Sequence, residues 1–238
     1  MEKIKGFIPF GLILGVSLII TGAIIARTFL DVKKLDNVIT VSGSAKQQVT
    51  SDSARWTGNF SRTILKDQIK NGYALIKSDE KIVTDFFKAQ GFANIEISPV
   101  FMNEIYKNDA NSPKEYNLVQ NVEIRSDDVN KMKELAKNSG QLADKGIIFS
   151  ANSVEYYYSK LPELRVSLLP EAIKDAKNRA VSIAESSDKQ VDAVKSVSMG
   201  VVQVMSVGSV DVSDYGSYDT SNIEKEVMIT VKTVFGLK

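Results

Sequence analysis

The sequence predicts an α+β protein: one or more mixed, mainly antiparallel sheets with two to three helices packed on them, behind a single N-terminal transmembrane helix. Three observations lead there. An apolar stretch opens the chain. The order strand–helix–strand occurs twice, in 54–102 and 116–158. A long helix with a stripe of small residues is then followed by further strands.

No charge interrupts Gly6–Ala26, and this stretch lacks the polar stripe of a helix packed in a soluble core. As a helix its 21 residues span roughly 31 Å, the thickness of a hydrocarbon layer. Residues 1–30 therefore read as a membrane anchor, with the helix at about 6–26. An uncleaved signal anchor is the preferred reading; the alternative is a signal peptide cleaved after Ala23 or Ala26, which would leave a secreted protein. Flanking charges are nearly balanced, Lys3 and Lys5 against Arg27, Lys33 and Lys34, so the positive-inside rule sets no orientation. Export of the large domain is the default for so short a tail. Gly11, Gly15, Gly22 and Ala26 share one face and form the candidate packing surface between anchors, although glycine is common in membrane helices generally.

Residues 31–37 read as a polar tether, and 38–238 as the exported α+β domain. Val38–Ser44 is β-branched and ends near a glycine. Ala54–Arg62 alternates, with Ala54, Trp56 and Phe60 on the side expected to be buried. Asp67–Gln90 switches to helical spacing through Ile69, Tyr73, Ile76 and Val83, with Gly91 to close it. Asn94–Met102 is extended, Lys107–Glu115 is a turn by composition, and Tyr116–Arg125 alternates again. Ser126 is the expected N-cap of a second helix that Gly146 closes. Ile147–Tyr158 returns to strand. The longest helix lies in Pro162–Ser187, its firm part expected from Pro170 onward. Val194–Val207 and Glu226–Phe235 are strands, and Gly208–Asn222 between them reads as a long flexible loop.

Composition excludes much chemistry. With no His and no Cys there is no Ser-His-Asp or Cys-His site, no Cys/His zinc site, no thiol redox pair and no disulfide. The net charge is +1, and no run of Lys or Arg supplies a nucleic-acid-binding face. Asp211, Asp214 and Asp219 around Gly216 miss the spacing of a calcium loop. Asn59-Phe60-Ser61 fits a glycosylation sequon, a triplet common by chance. No catalytic, cofactor or metal set emerges. Tyr156, Tyr157 and Tyr158, with Tyr215 and Tyr218, are the candidate interaction surface, because aromatic rings favour interfaces; the plainer reading is that two of the three rings at 156–158 lie over the sheet and one is exposed.

Three local patterns in this order resemble the SIMPL domain family of exported bacterial proteins. They are the strand Ile39-Thr40-Val41-Ser42-Gly43-Ser44-Ala45, the helix segment Glu171-Ala172 with Ala176 and Ala180 following, and the closing strand Ile229-Thr230-Val231. The resemblance covers about residues 38–236. Ser51-Asp52 stands where the family usually has Pro-Asp, and Ser187-Asp188 where it usually has a glycine. The resemblance implies a fold of unknown biochemistry, members linked to envelope or oxidative stress, and in some cases large ring-like or channel-like oligomers.

Two functions are therefore expected. The first is a non-enzymatic scaffold, tethered to the bilayer, that self-associates or binds envelope proteins. The second is an envelope hydrolase or small-ligand-binding protein using carboxylate, Ser or Lys groups. Replacing Gly15 by Leu is expected to weaken any association between anchors; crosslinking within the bilayer that is unchanged by this variant would remove the small-residue face from consideration.

Overall fold

The computed structural model describes residues 7–35, 37–108 and 112–238. Gly6, Asp36 in the expected tether, and 109–111 in the expected turn lie outside them. Helix α1 is Phe7–Leu35, longer than the apolar run at its start. It continues into the segment expected to be tether, as far as Leu35. Its window Gly11–Leu30 is 20 residues long, apolar enough to cross a membrane, and has no residue buried.

The chain forms two compact units. The first holds Met1–Ala45, Leu168–Gly200 and Ile229–Lys238; the second holds Lys46–Ser167 and Val201–Met228. Strand β1 (Val38–Thr50), helix α4 (Leu161–Glu185) and strand β11 (Glu224–Leu237) each contribute residues to both.

In the first unit, β11 lies between β1 and β8 (Val191–Met199). The bond from Leu237 N–H to Asn37 O puts the start of β1 at the end of β11, so the two run antiparallel. Ile229, Val231, Thr233 and Phe235 point inward, as do Val41 and Ala45 of β1. On α4, Leu168, Ala172, Ala176, Ala180 and Ala184 make a buried stripe of i, i+4 spacing. The small stripe meets Gly43, where an added Cβ would lie 2.7 Å from Ala176 Cβ and collide with the helix backbone. Helix α4 lies where expected but is not broken at Pro170: it runs from Leu161 through the proline to Glu185. Pro170 sits on the exposed side, so the carbonyl it leaves without a partner is not sealed in the core. Asp188 has φ 53 at the turn where the family resemblance led us to expect glycine.

In the second unit, a six-stranded sheet is centred on β2 (Ser53–Leu65) and β5 (Glu115–Ser126), paired from Ala54↔Ser126 to Leu65↔Glu115. Strands β3 (Ile95–Ile97) and β4 (Phe101–Ile105) pair with β5; β6 (Ile148–Ala151) and β7 (Glu155–Tyr157) pair with β2. The break between β3 and β4 comes at Ser98-Pro99, where a ladder donor is missing. One face of the sheet is covered by α2 (Ile69–Ala89) and α3 (Val129–Asn138). Trp56 meets Phe87 edge-on at 5.4 Å and stacks on Phe149 at 5.8 Å. The cap of α3 is Asp128, not Ser126: Lys131 N–H donates to Asp128 Oδ1 at 2.9 Å, and Ser126 Oγ instead accepts from Asp128 N–H. The aspartate lies closer to the first free N–H groups.

The segment expected as an unstructured loop carries a strand. β10 (Ser217–Tyr218) runs parallel to β9 (Gln203–Ser206), and β9 in turn pairs with the start of β11. The organiser is Gln203, a buried amide whose Nε2 donates to Ser213 O at 2.6 Å and whose Oε1 accepts from Ser217 Oγ at 2.7 Å.

Gly43→Val is expected to lower stability by about 2–3 kcal/mol, because the new methyl groups have only helix backbone to displace. Urea unfolding of the detergent-extracted chain measures this, and an unchanged midpoint would contradict the close seating of α4.

Candidate functional site

Directly opposed residues on neighbouring strands share a face, so the register of β2 fixes what lies opposite the core. Arg55, Thr57 and Asn59 face outward. Across β5 stand Arg125, Glu123 and Asn121; across β7 stands Glu155. Arg55 and Arg125 are thus like charges in direct opposition, and Glu123 resolves the conflict. Arg55 Nη2 donates to Glu123 Oε2 at 2.8 Å, and Arg125 Nε donates to Glu123 Oε1 at 2.7 Å. Arg55 Nη1 reaches Glu155 Oε2 at 3.3 Å, and Tyr157 Oη donates to the same oxygen at 2.9 Å.

This network fixes protonation states. The hydrogen bond from Arg55, aided by Arg125, holds the Glu123 carboxyl below its usual range. Arg55 is raised by the hydrogen bond to Glu123. Burial, and then Glu155, push the Tyr157 phenol up. Beside the network is an open cleft of about 440 Å³ lined by Arg55, Thr57, Glu96, Asn121, Glu123 and Asn152 among others. Its walls offer amides, a hydroxyl and carboxylates on rigid strands, a donor–acceptor set suited to polar recognition. Among the described residues, no group of three or more Asp or Glu is arranged to hold a metal ion.

The structure gathers some of the expected tyrosines and separates others. The Tyr157 and Tyr218 rings lie 5.8 Å apart, and Tyr158 N–H donates to Tyr218 Oη at 2.8 Å. Tyr156 points the other way, into the core, and is unavailable to a partner. The alternation of β7 forces this, since neighbours on a strand face opposite sides. Tyr215 is 96% exposed, Tyr218 38%. On the anchor, Gly11, Gly15 and Gly22 have no atom within 4 Å of an added Cβ, and Ala26 is exposed, so that face is open.

Two buried charges escape a reading of the sequence by residue type. Lys225 is fully buried, its Nζ donating to Asp219 O and Asn222 O at 2.5 Å, with the Tyr218 ring centroid 5.8 Å away. Burial pushes its ammonium pKa down, and the nearby Asp219 opposes this. Burial pushes the Asp219 carboxyl up, but hydrogen bonds from Asn222 and Ser221 together with Lys225 leave it lowered. Asp79, buried on α2, takes a two-pronged bond from Arg62, whose pKa that bond raises. The signals that could find them are parity and spacing: Lys225 precedes Val227, Ile229 and Val231 at inward steps of two, and Asp79 lies between Ile76 and Val83 on the buried stripe.

Among protein families, residues 39–235 match SIMPL, described as "Protein of unknown function (DUF541)". No curated protein matches the chain.

Glu123→Gln is expected to cost about 1 kcal/mol near neutrality, since the network is partly open to solvent. Because the carboxyl is lowered on folding, its stabilisation is full above the ordinary carboxylate range and is lost as pH falls through the lowered value. The variant should therefore show a flatter loss of stability toward acid, read by urea unfolding at stepped pH. Parallel curves for the two proteins would contradict the assignment.

Proposed function

We propose that this chain, which belongs to the SIMPL family, is a membrane-tethered module of the cell envelope whose body lies outside the cytoplasm and acts by self-association and protein binding. The observation that carries the tether is the Gly11–Leu30 window, 20 residues with none buried. An apolar cylinder of that length is stable when lipid surrounds it, because its backbone polar groups are satisfied internally.

The state of the polar network supports binding over turnover. Glu123 is held ionised and Tyr157 protonated, so neither exchanges a proton readily near neutrality. Arg55 already serves two carboxylates, which makes the network a rigid scaffold for contacts. The link of some members to envelope or oxidative stress, which the resemblance implies, would supply a setting. The second reading, a hydrolase or small-ligand-binding protein, is favoured by the cleft beside Arg55. Turnover of a substrate that Glu123→Gln abolishes, without loss of folding, would select it.

The test of the tether is fractionation. The wild-type chain is expected to stay with carbonate-washed membranes, and protease added outside spheroplasts should digest the body. Ile19→Lys places a charge at mid-span, at about 2.5–3.5 kcal/mol, and should reduce the retained fraction severalfold. A mature protein beginning after Ala23 or Ala26 and recovered in the soluble fraction would replace the tethered reading with the secreted one.

A further inference from the structure

The two edges of the first unit's sheet are treated differently. At β1, Ser44 N–H donates to Asp175 Oδ2 at 2.9 Å, so a side chain from α4 occupies a position that an added strand would need. At β8 nothing comparable happens. Its inner side is bonded to β11 from the Gln190–Lys238 pair through to Gly200 N–H on Thr230 O. Among the described residues, the hydrogen bonds of Ser196–Gly200 run to β11, that from Ser198 Oγ to Lys232 O included. None of its nine residues is buried.

Register shows what that edge carries. Val197 stands opposite Thr233, Met199 opposite Val231 and Val194 opposite Phe235, and all three β11 partners are buried. Three apolar side chains therefore continue the buried face beyond the last covered strand, at 42–47% exposure. Natural edges are normally blunted by charges, proline or bulges. Here the irregularities fall at the far half of β8, between the partners of Val234 and Leu237, and the charges Asp192 and Lys195 lie there too, beside Gly236. Ser196–Gly200 is regular, uncharged and unguarded.

We infer that Ser196–Gly200 of β8 pairs antiparallel with the same segment of a second copy of this chain, about a two-fold axis through Ser198. In that register Val197 lies opposite Met199 of the other copy and Met199 opposite its Val197, so the two apolar strips match reciprocally. Ser198 faces Ser198 on the other side of the sheet. The charge pattern selects this occupant. A strand with charged alternate residues would press them unpaired against Val197 and Met199, whereas the second copy brings none. The two Lys195 side chains start six strand positions apart, about 20 Å, beyond effective repulsion at physiological salt. This interface names the surface for the self-association proposed above and rests on that reading.

The absence of cysteine makes the test direct, since a single introduced thiol has no competitor. In detergent-extracted full-length chain, Ser198→Cys is expected to give a covalent dimer on mild oxidation. Ser182→Cys, exposed on α4, is expected to give at least tenfold less. Val197→Lys should weaken association at least tenfold by light scattering while leaving the circular dichroism melt in place. If the chain associates but Ser198→Cys crosslinks no better than Ser182→Cys, or Val197→Lys changes nothing, the β8 interface is wrong and self-association stands. If the full-length chain is monomeric throughout, both fail.

Discussion

Strand β11 bonds β1, β8 and β9, and its alternate side chains must fill the inward positions along its whole length. From Val227 to Phe235 they do so with apolar groups and Thr233. At Lys225 the same parity drives an ammonium group into the interior, where an unpaired charge is costly. The chain answers by folding 219–222 over it, so that the Asp219 and Asn222 carbonyls accept hydrogen bonds from it. That turn fixes Tyr218, and Tyr218 in turn meets Tyr157 and the backbone of Tyr158. The geometry of the tyrosine surface thus depends on one buried lysine, whose ammonium group also lies 5.8 Å from the centroid of the Tyr218 ring.

Legible in the sequence is whatever repeats. The alternation through Trp56 and Phe60, and the helical spacing through Ile76 and Val83, locate β2 and α2 because burying an apolar side contributes most to the stability of both. Charged residues at inward positions read as solvated by type, although Lys225 and Asp79 stand in step with the apolar pattern. Pro170 reads as a breaker, because nothing local shows that its side of α4 faces water. The tyrosine run reads as a candidate surface with its rings divided between sheet and solvent, but only the register of β7 shows that Tyr156 is the one turned into the core. Long-range pairing is beyond reach: nothing local places Arg55 opposite Arg125, or joins Gln203 to Ser213 and Ser217.

The departures from the family pattern have local physical accounts. Ser51 is buried and donates both its N–H and its Oγ to Ile223 O, a pair of bonds in which proline could not share. Asp52 accepts from Ser159 N–H at 2.7 Å and Ser159 Oγ at 2.8 Å. Asp188 takes the left-handed conformation that glycine adopts without penalty, and aspartate is among the side chains that tolerate it.

Helix α1 continues five residues past the apolar window, from Leu30 to Leu35, and β1 opens at Val38. Five residues of helix rise about 7.5 Å, comparable to the depth of one headgroup layer. Were lipid to hold the apolar window, a leash this short would keep the body near the membrane. In the tethered reading proposed above, molecules held near one plane would search in two dimensions, and confinement of that kind would raise the effective concentration each presents to its neighbour. Surfaces too weak to hold in free solution would then meet often enough to matter, and loss of the leash would be felt as dilution.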